Sequence, residues 1–252
     1  MKQEGASFLL AVQFLTRIPI PSGGLYTPER MAASVRYYPM VGLLVGCMCA
    51  AVFALSLAVF PQVIAILLAI AASLLLTGGF HEDGLADTFD GIGGGLDRDR
   101  ALEVMRDSRL GTYGTLALVM VLSTKAVSLA LLPVEFIVAT LMAAHGLSRL
   151  SSVLVIATST YVRAEGTGKP VAEGVSPVSL IMLALTGAAI VAAWCWLLPP
   201  MALACAVFGL VVGHGAMRLF FEPKLGGYTG DTLGAVQQVS ELGFYLGLLA
   251  WL

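Results

Sequence analysis

Long apolar runs separated by short polar turns organise this chain. Runs of about 20 apolar residues, the length that crosses a bilayer as a helix, cover residues 33–59, 62–79, 112–132, 135–159, 178–198, 201–221 and 233–252. Pro61, Pro133 and the pair Pro199-Pro200 mark the tight turns between neighbouring runs, as expected of a residue that interrupts helices. The pattern predicts an all-α, polytopic integral membrane bundle of about seven transmembrane helices. A short N-terminal helix over residues 6–16 is expected to be interfacial or re-entrant. No cleavable signal peptide is expected, because the apolar stretch at 7–15 is short and lacks a small-residue cleavage site. Residues 1–252 read as a single membrane-embedded domain.

Composition supports the same class without relying on any one run. The chain is 58% hydrophobic and only 12% charged, against about 25% charged in soluble domains, and its mean hydropathy is +0.89. A net charge of −2 argues against a nucleic-acid partner. The basic residues sort by side. Lys2, Arg17, Arg30, Arg36, Arg98, Arg100, Arg106, Arg109, Arg163, Lys169, Arg218 and Lys224 fall on one face of the span map, and the turns near 60–61, 133–134 and 199–200 hold none. The positive-inside rule then predicts a cytoplasmic N-terminus and an outward C-terminus. Lys125 and Arg149 fall inside spans. Lysine can snorkel to the interface, so Lys125 is given no role. Arg149 is expected to face the bundle interior and to find a phosphate or an aspartate as partner. Cys47, Cys49, Cys195 and Cys205 all lie in apolar segments and are expected to be small buried hydrophobes.

The acidic residues are the exception to this even spread. Eight of the sixteen Asp and Glu lie between Glu82 and Asp107, and the run GGFHEDGLADTFDG at 78–91 places Asp83, Asp87 and Asp90 at helical spacing. Positions i, i+4 and i+7 fall within an arc of roughly 60° on one face. Carboxylates held so close repel one another unless a cation sits among them, and an all-oxygen set suits Mg²⁺ or Mn²⁺ rather than zinc. Gly91, Gly93, Gly94 and Gly95 then break the helix. Asp97 or Asp99 is expected to cap a short helix through about Arg109, ended by Gly111, that carries Arg98, Arg100, Arg106 and Arg109. Arginine matches phosphate oxygens through its planar fork. Acids for a metal beside arginines for phosphate are the parts that phosphoryl transfer needs.

LGGYTGDTLGA at 225–235 is a second candidate: its glycines let the backbone approach an anion, and Asp231 either caps the last span or completes a metal shell. His145-Gly146-x-x-Arg149 echoes His214-Gly215-x-x-Arg218, each followed by a Thr-Gly pair, Thr167-Gly168 and Thr229-Gly230. Either an internal duplication or chance in an apolar chain explains the echo.

These residues carry a resemblance. FLTRIPIP at 14–21, YYPMVGLLVG at 37–46, TGGFHEDGLADTFDG at 77–91, RDRALEVMRDSRLGTYG at 98–114, Ser148-Arg149, EGTGKP at 165–170 and GGYTGDTLGA at 226–235 look like the cobalamin synthase family, or adenosylcobinamide-GDP ribazoletransferase, over nearly the whole length. The resemblance implies an Mg²⁺-dependent transferase of substituted phosphate groups. Its partners would be adenosylcobinamide-GDP, α-ribazole or its 5′-phosphate, and the lipid bilayer. GMP would be released in assembly of the lower nucleotide loop of vitamin B12. It further implies Mg²⁺ on Asp83 and Asp87, with Asp90 or Asp231 completing the shell, and attack by the ribazole 5′-hydroxyl. Asp90 is the expected base, with Asp87 able to exchange roles. Arg100, Arg106, Arg109, Arg149 and Lys169 would hold substrate, and Gly227, Thr229, Gly230 and Asp231 would close the site at the cytoplasmic face. Gly42-x-x-x-Gly46 permits close helix packing within one chain or between chains, so a homo-oligomer or a complex with other corrinoid-pathway enzymes stays open.

Three other readings compete. A CDP-alcohol phosphotransferase shares the start of its motif with Asp83-Gly84, but the later spacing fails. An ion-coupled transporter would use Asp83, Asp87 and Arg149, yet its acids belong at the midplane and here sit at a helix end. A structural scaffold would need neither the acidic cluster nor the glycine-rich run.

Overall fold

The computed structural model describes residues 3–21, 23–95, 97–163, 169–172 and 175–252. Lys2 and the Thr167-Gly168 pair lie outside them. Among the described residues eleven α-helices run in the order α1 (Gln3–Leu15), α2 (Pro28–Ser34), α3 (Tyr38–Leu57), α4 (Gln62–Thr77), α5 (Phe80–Gly93), α6 (Arg98–Val104), α7 (Thr112–Leu131), α8 (Val134–Thr158), α9 (Pro177–Leu197), α10 (Pro200–Leu225) and α11 (Gly230–Trp251). The all-α expectation is met, and the prolines punctuate as expected: Pro61, Pro133 and Pro199 each stand at the N-cap of the helix that follows.

Among the described residues the candidate spans number five, or six if α4 and α5 form one bent span. Five helical stretches are long and apolar enough to cross a membrane: Pro28–Leu57, α7, α8, α9 and α10. The 16-residue α4 qualifies only together with α5, from which it is bent by 87°. α11 has the length, but Gln237, Gln238 and Glu241 make it too polar to qualify. About seven spans is therefore not confirmed.

The bend between α4 and α5 is made by Gly78 and Gly79, both at φ 70°, a left-handed conformation open to glycine and strained for other residues. It turns α5 off the line of α4 and lays it against the first turns of α7 and α11. α5 thus runs across the line of α4 at one end of the bundle. The C-terminal part of α10 meets it there, with Phe220 against Phe89. Tyr161, just after α8, bridges Tyr228, just before α11, through Val162 N–H to Tyr228 C=O at 3.0 Å and Tyr228 N–H to Thr160 C=O at 2.8 Å.

Two apolar clusters fill the molecule, one around α1, α5 and the loops at this end, the other toward the opposite end of α3, α4, α8 and α11. α1 is part of the first. Leu10, Ala11, Val12 and Leu15 are buried, and Arg17 N–H donates to Leu76 C=O at 2.7 Å. It packs into the bundle rather than lying apart from it. Gly42 and Gly46 face the α8 backbone of the same chain. Of the cysteines only Cys49 is buried, while Cys47 and Cys195 are exposed on apolar helices and Cys205 is intermediate. The expectation of four buried thiols holds for one.

Candidate functional site

α5 meets α11 where both helices carry a glycine. A β-carbon on Gly84 would stand 2.6 Å from the Asp231 carbonyl oxygen, and one on Gly234 would stand 2.9 Å from that of His81. The backbones therefore nearly touch, and the acids of α5 come next to Asp231 in the first turn of α11. Asp83 is exposed, and Asp87 and Asp231 are partly buried. Burial first, and then the charges on Asp231 and Asp83, push the Asp87 carboxyl up to about 7. Asp231 is likewise raised by burial, against the lowering effect of Arg163. An open cavity of about 600 Å³ lies beside Asp83, with Arg17, Thr77, Gly79 and Glu82 in its walls.

Gly84→Ala should force α5 from α11 and cost about 1–3 kcal/mol, the usual range for overpacking. Thermal unfolding in detergent measures it, and an unchanged midpoint would mean the two helices have slack.

Asp90 does not face this group of acids as a free carboxylate. Its Oδ2 accepts the Gly111 N–H and its Oδ1 the Gly114 N–H, both at 2.8 Å. It satisfies amides at the start of α7 that the helix itself leaves without partners, and so ties α5 to α7. Gly111 is accordingly the N-cap of α7 and not the end of the preceding helix.

The arginine segment is shorter than expected. Asp97 caps α6 by accepting the Arg100 N–H at 2.9 Å, but α6 stops at Val104. Arg100 pairs with Glu103 at 2.6 Å and Arg109 with Asp107 at 2.5 Å, both at the surface, while Arg106 is exposed. Arg98 donates to the Leu225 carbonyl at 2.7 Å, docking α6 on the end of α10. Lys169 sits exposed on a short helical turn, Lys169–Val171.

In the glycine-rich run the cap is Thr229, not Asp231. The Thr229 side chain accepts the Thr232 N–H at 3.3 Å, and the Thr229 N–H reaches Thr232 Oγ1 at 2.9 Å, a reciprocal capping box. Gly230 opens α11, and Gly227 lies against the Thr160 backbone. Asp231 is thereby freed for an ion pair that sequence reading missed, its Oδ2 standing 2.6 Å from Arg163 Nη2.

Arg149 is buried at 2% exposure, but not with the aspartates. It donates to the His145 carbonyl at 3.0 Å and faces a slot of about 40 Å³ among Phe14, Tyr38, Phe80 and His81, room for little more than a water. Behind it lies a polar network that was also missed. Lys125, 4% exposed, lies 3.1 Å from Glu241 and donates to Gln238 at 2.6 Å, so it does not snorkel. Gln238 donates to Glu82 at 2.8 Å, Gln237 and Tyr245 donate to Glu241 at 2.7 and 2.9 Å, and His145 stands 3.5 Å from Glu241. The available signal was polar residues at i, i+4 and i+8 (Gln237, Glu241, Tyr245) on one face of an otherwise apolar helix. The two His-Gly-x-x-Arg motifs end on different partners: His214 bonds Ser151 at 2.9 Å.

Among the described residues no three His, Cys, Asp or Glu side chains converge as a metal site. The donors fit a hard divalent cation in kind. Asp83, Asp87 and Asp231 offer only carboxylate oxygen, from two helices in contact, and the Asp87 carboxyl, raised first by burial, is raised further by the charges on Asp231 and Asp83, a conflict that a cation would relieve.

Residues 7–249 match the family described as cobalamin-5-phosphate synthase. Among curated relatives, an adenosylcobinamide-GDP ribazoletransferase of Leptothrix cholodnii is 47% identical, covering 98% of this chain and 96% of the relative. One of Shewanella amazonensis is 43% identical with the same coverage, and one of Vibrio cholerae is 42% identical over 97% of this chain and 94% of the relative. No solved structure matches the chain.

Proposed function

This chain belongs to the cobalamin-5-phosphate synthase family, and from that premise we propose that it is an adenosylcobinamide-GDP ribazoletransferase. In this reading it moves phosphocobinamide from the GDP conjugate to α-ribazole or its 5′-phosphate and releases GMP. The observation that carries the site is the glycine contact of α5 with α11, which sets Asp83 and Asp87 beside Asp231. The basic loops gather at the same end, which by the positive-inside rule faces the cytoplasm of a bacterial inner membrane.

Asp83, Asp87 and Asp231 would hold Mg²⁺. When bound, the cation supplies neutralisation of the diphosphate and of the leaving phosphate. The remaining work is positioning. A hydroxyl oxygen of the acceptor ribose forms the new bond to the phosphorus on the cobinamide side, and the bond from that phosphorus to the bridging oxygen breaks, with its electron pair leaving on GMP. A product that bears a 5-phosphate, as the family description has it, needs an attacking hydroxyl other than the 5′ one. The expected 5′-hydroxyl therefore gives way to a secondary hydroxyl of the ribose. Asp90, with both oxygens on amides, is not assigned as base. A loose phosphoryl-transfer transition state retains the hydroxyl proton until late, and solvent at the exposed end of the site takes it. Arg106, at the surface of the same end, and Arg17, in the cavity wall beside Asp83, present guanidinium groups to the phosphates.

The test is GMP release from adenosylcobinamide-GDP and α-ribazole by purified protein in liposomes, with and without EDTA. GMP together with a cobalamin product, abolished by EDTA, supports the reading. No GMP from any lower-base nucleoside ends it.

A pH dependence follows from Asp87. A cation must displace the proton that this carboxyl holds up to about 7. Divalent-cation affinity should therefore fall as pH is lowered through 7, with a proton released on binding at pH 6. Isothermal titration of Mn²⁺ in buffers of different ionisation enthalpy reads that proton directly, and affinity independent of pH between 6 and 8 would contradict it.

A further inference from the structure

Arg163 occupies a place that the transfer reaction does not by itself explain. The backbone just before it is pinned by the Tyr161–Tyr228 bridge, through Val162 N–H to Tyr228 C=O at 3.0 Å. Its side chain is only 10% exposed and spans two elements, with Nη2 donating to Asp231 Oδ2 at 2.6 Å and to the Met105 carbonyl at 3.3 Å. Its Nε is buried and has no partner among the described residues. A guanidinium carries five N–H donors, and a buried donor left without a partner costs about 1–3 kcal/mol. A permanent clamp would satisfy that nitrogen. An arginine that exchanges partners keeps donors in reserve.

Across the α5–α11 contact the charges are unequal. Asp83 and Asp87 have no ion pair among the described residues, whereas Asp231 has Arg163. A cation entering between the two helices meets Asp83 and Asp87 free and must compete with Arg163 for Asp231. The guanidinium so released stays at the site, because the backbone just before Arg163 is pinned, and its planar fork matches adjacent phosphate oxygens. We propose that Arg163 is a stand-in for the divalent cation at Asp231, and that it passes to the diphosphate of the donor when the cation binds. The cation and the diphosphate rest on the function proposed above.

Two measurements without turnover test the exchange. Mn²⁺ affinity, read by electron paramagnetic resonance in detergent with no nucleotide present, should be about three- to tenfold tighter in Arg163→Gln, because one competing charge beside the carboxylates is gone. Arg163→Lys keeps the charge and should bind Mn²⁺ close to wild type, while its KM for adenosylcobinamide-GDP stays raised at least about tenfold because lysine lacks the fork. A folded Arg163→Gln protein that binds Mn²⁺ no tighter than wild type would reduce Arg163 to a structural clamp and overturn the proposal.

Should that variant fail to fold, the wild-type chain answers. Phenylglyoxal labelling of Arg163, followed by mass spectrometry, should rise when Mn²⁺ is added and fall again with pyrophosphate. Labelling unmoved by Mn²⁺ overturns the proposal equally. Absence of GMP release by the wild type would instead count against the assigned reaction, so the two failures are distinguishable.

Discussion

Asp87→Asn should lower metal-dependent GMP release by roughly a thousandfold, about 4 kcal/mol of transition-state stabilisation, and should leave the protein folded. Asp87 is the middle member of the acidic group: burial first, and then the charges on Asp231 and Asp83, push its carboxyl up to about 7. Asparagine keeps the shape and one oxygen but removes the charge that a hard cation needs. The same change removes a like-charge conflict, so the unfolding temperature should stay level or rise. Activity and stability would then move in opposite directions, which a general loss of folding cannot imitate. Rates near wild type at saturating Mg²⁺ would remove Asp87 from the metal set.

The second large effect is on stability. Lys125→Met should cost about 3–5 kcal/mol, the usual penalty for removing one partner of a buried pair. Glu241 would keep Gln237 and Tyr245 but lose the cation at 3.1 Å, and Gln238 would lose its 2.6 Å donor. Replacing both partners with apolar residues of similar size, as in Lys125→Met with Glu241→Leu, should recover a good part of the loss, because no charge is then left unpaired. Chemical unfolding in detergent gives all three values. A single substitution costing under about 1 kcal/mol would mean that water reaches the pair and screens it.

The legible part of this molecule is its local part. Apolar runs broken at Pro61, Pro133 and Pro199 give the helices in order, because helix start and stop are decided within a few residues. The placement of Asp83 and Asp87 follows from helical spacing alone, and Asp97 caps α6 as its position before an arginine-rich helix suggests. What escaped is contact between distant segments. Arg163 and Asp231 are separated by the whole of α9 and α10, and nothing in either neighbourhood marks the other. Lys125 was read from its flexibility, whereas its partner lies on α11. Asp90 looked like the third member of a cluster, and the amides that bond it belong to the start of α7, beyond the whole of α6. The count of seven spans stays unconfirmed for a related reason: the polar residues of α11 are answered by α5, α7 and α8 across the bundle.

The order of synthesis gives the Glu241 network a cost in time. Glu82, Lys125, His145 and Arg149 leave the ribosome well before Glu241 and its glutamine neighbours. Until α11 arrives, Lys125 stands in the half-built bundle without the Glu241 carboxylate that answers it. For that interval the earlier helices carry a charge that lipid disfavours. A chain interrupted after Lys224 would contain every apolar span and still lack the residue that neutralises its interior. In cells its half-life should resemble that of Glu241→Leu more closely than that of the full chain.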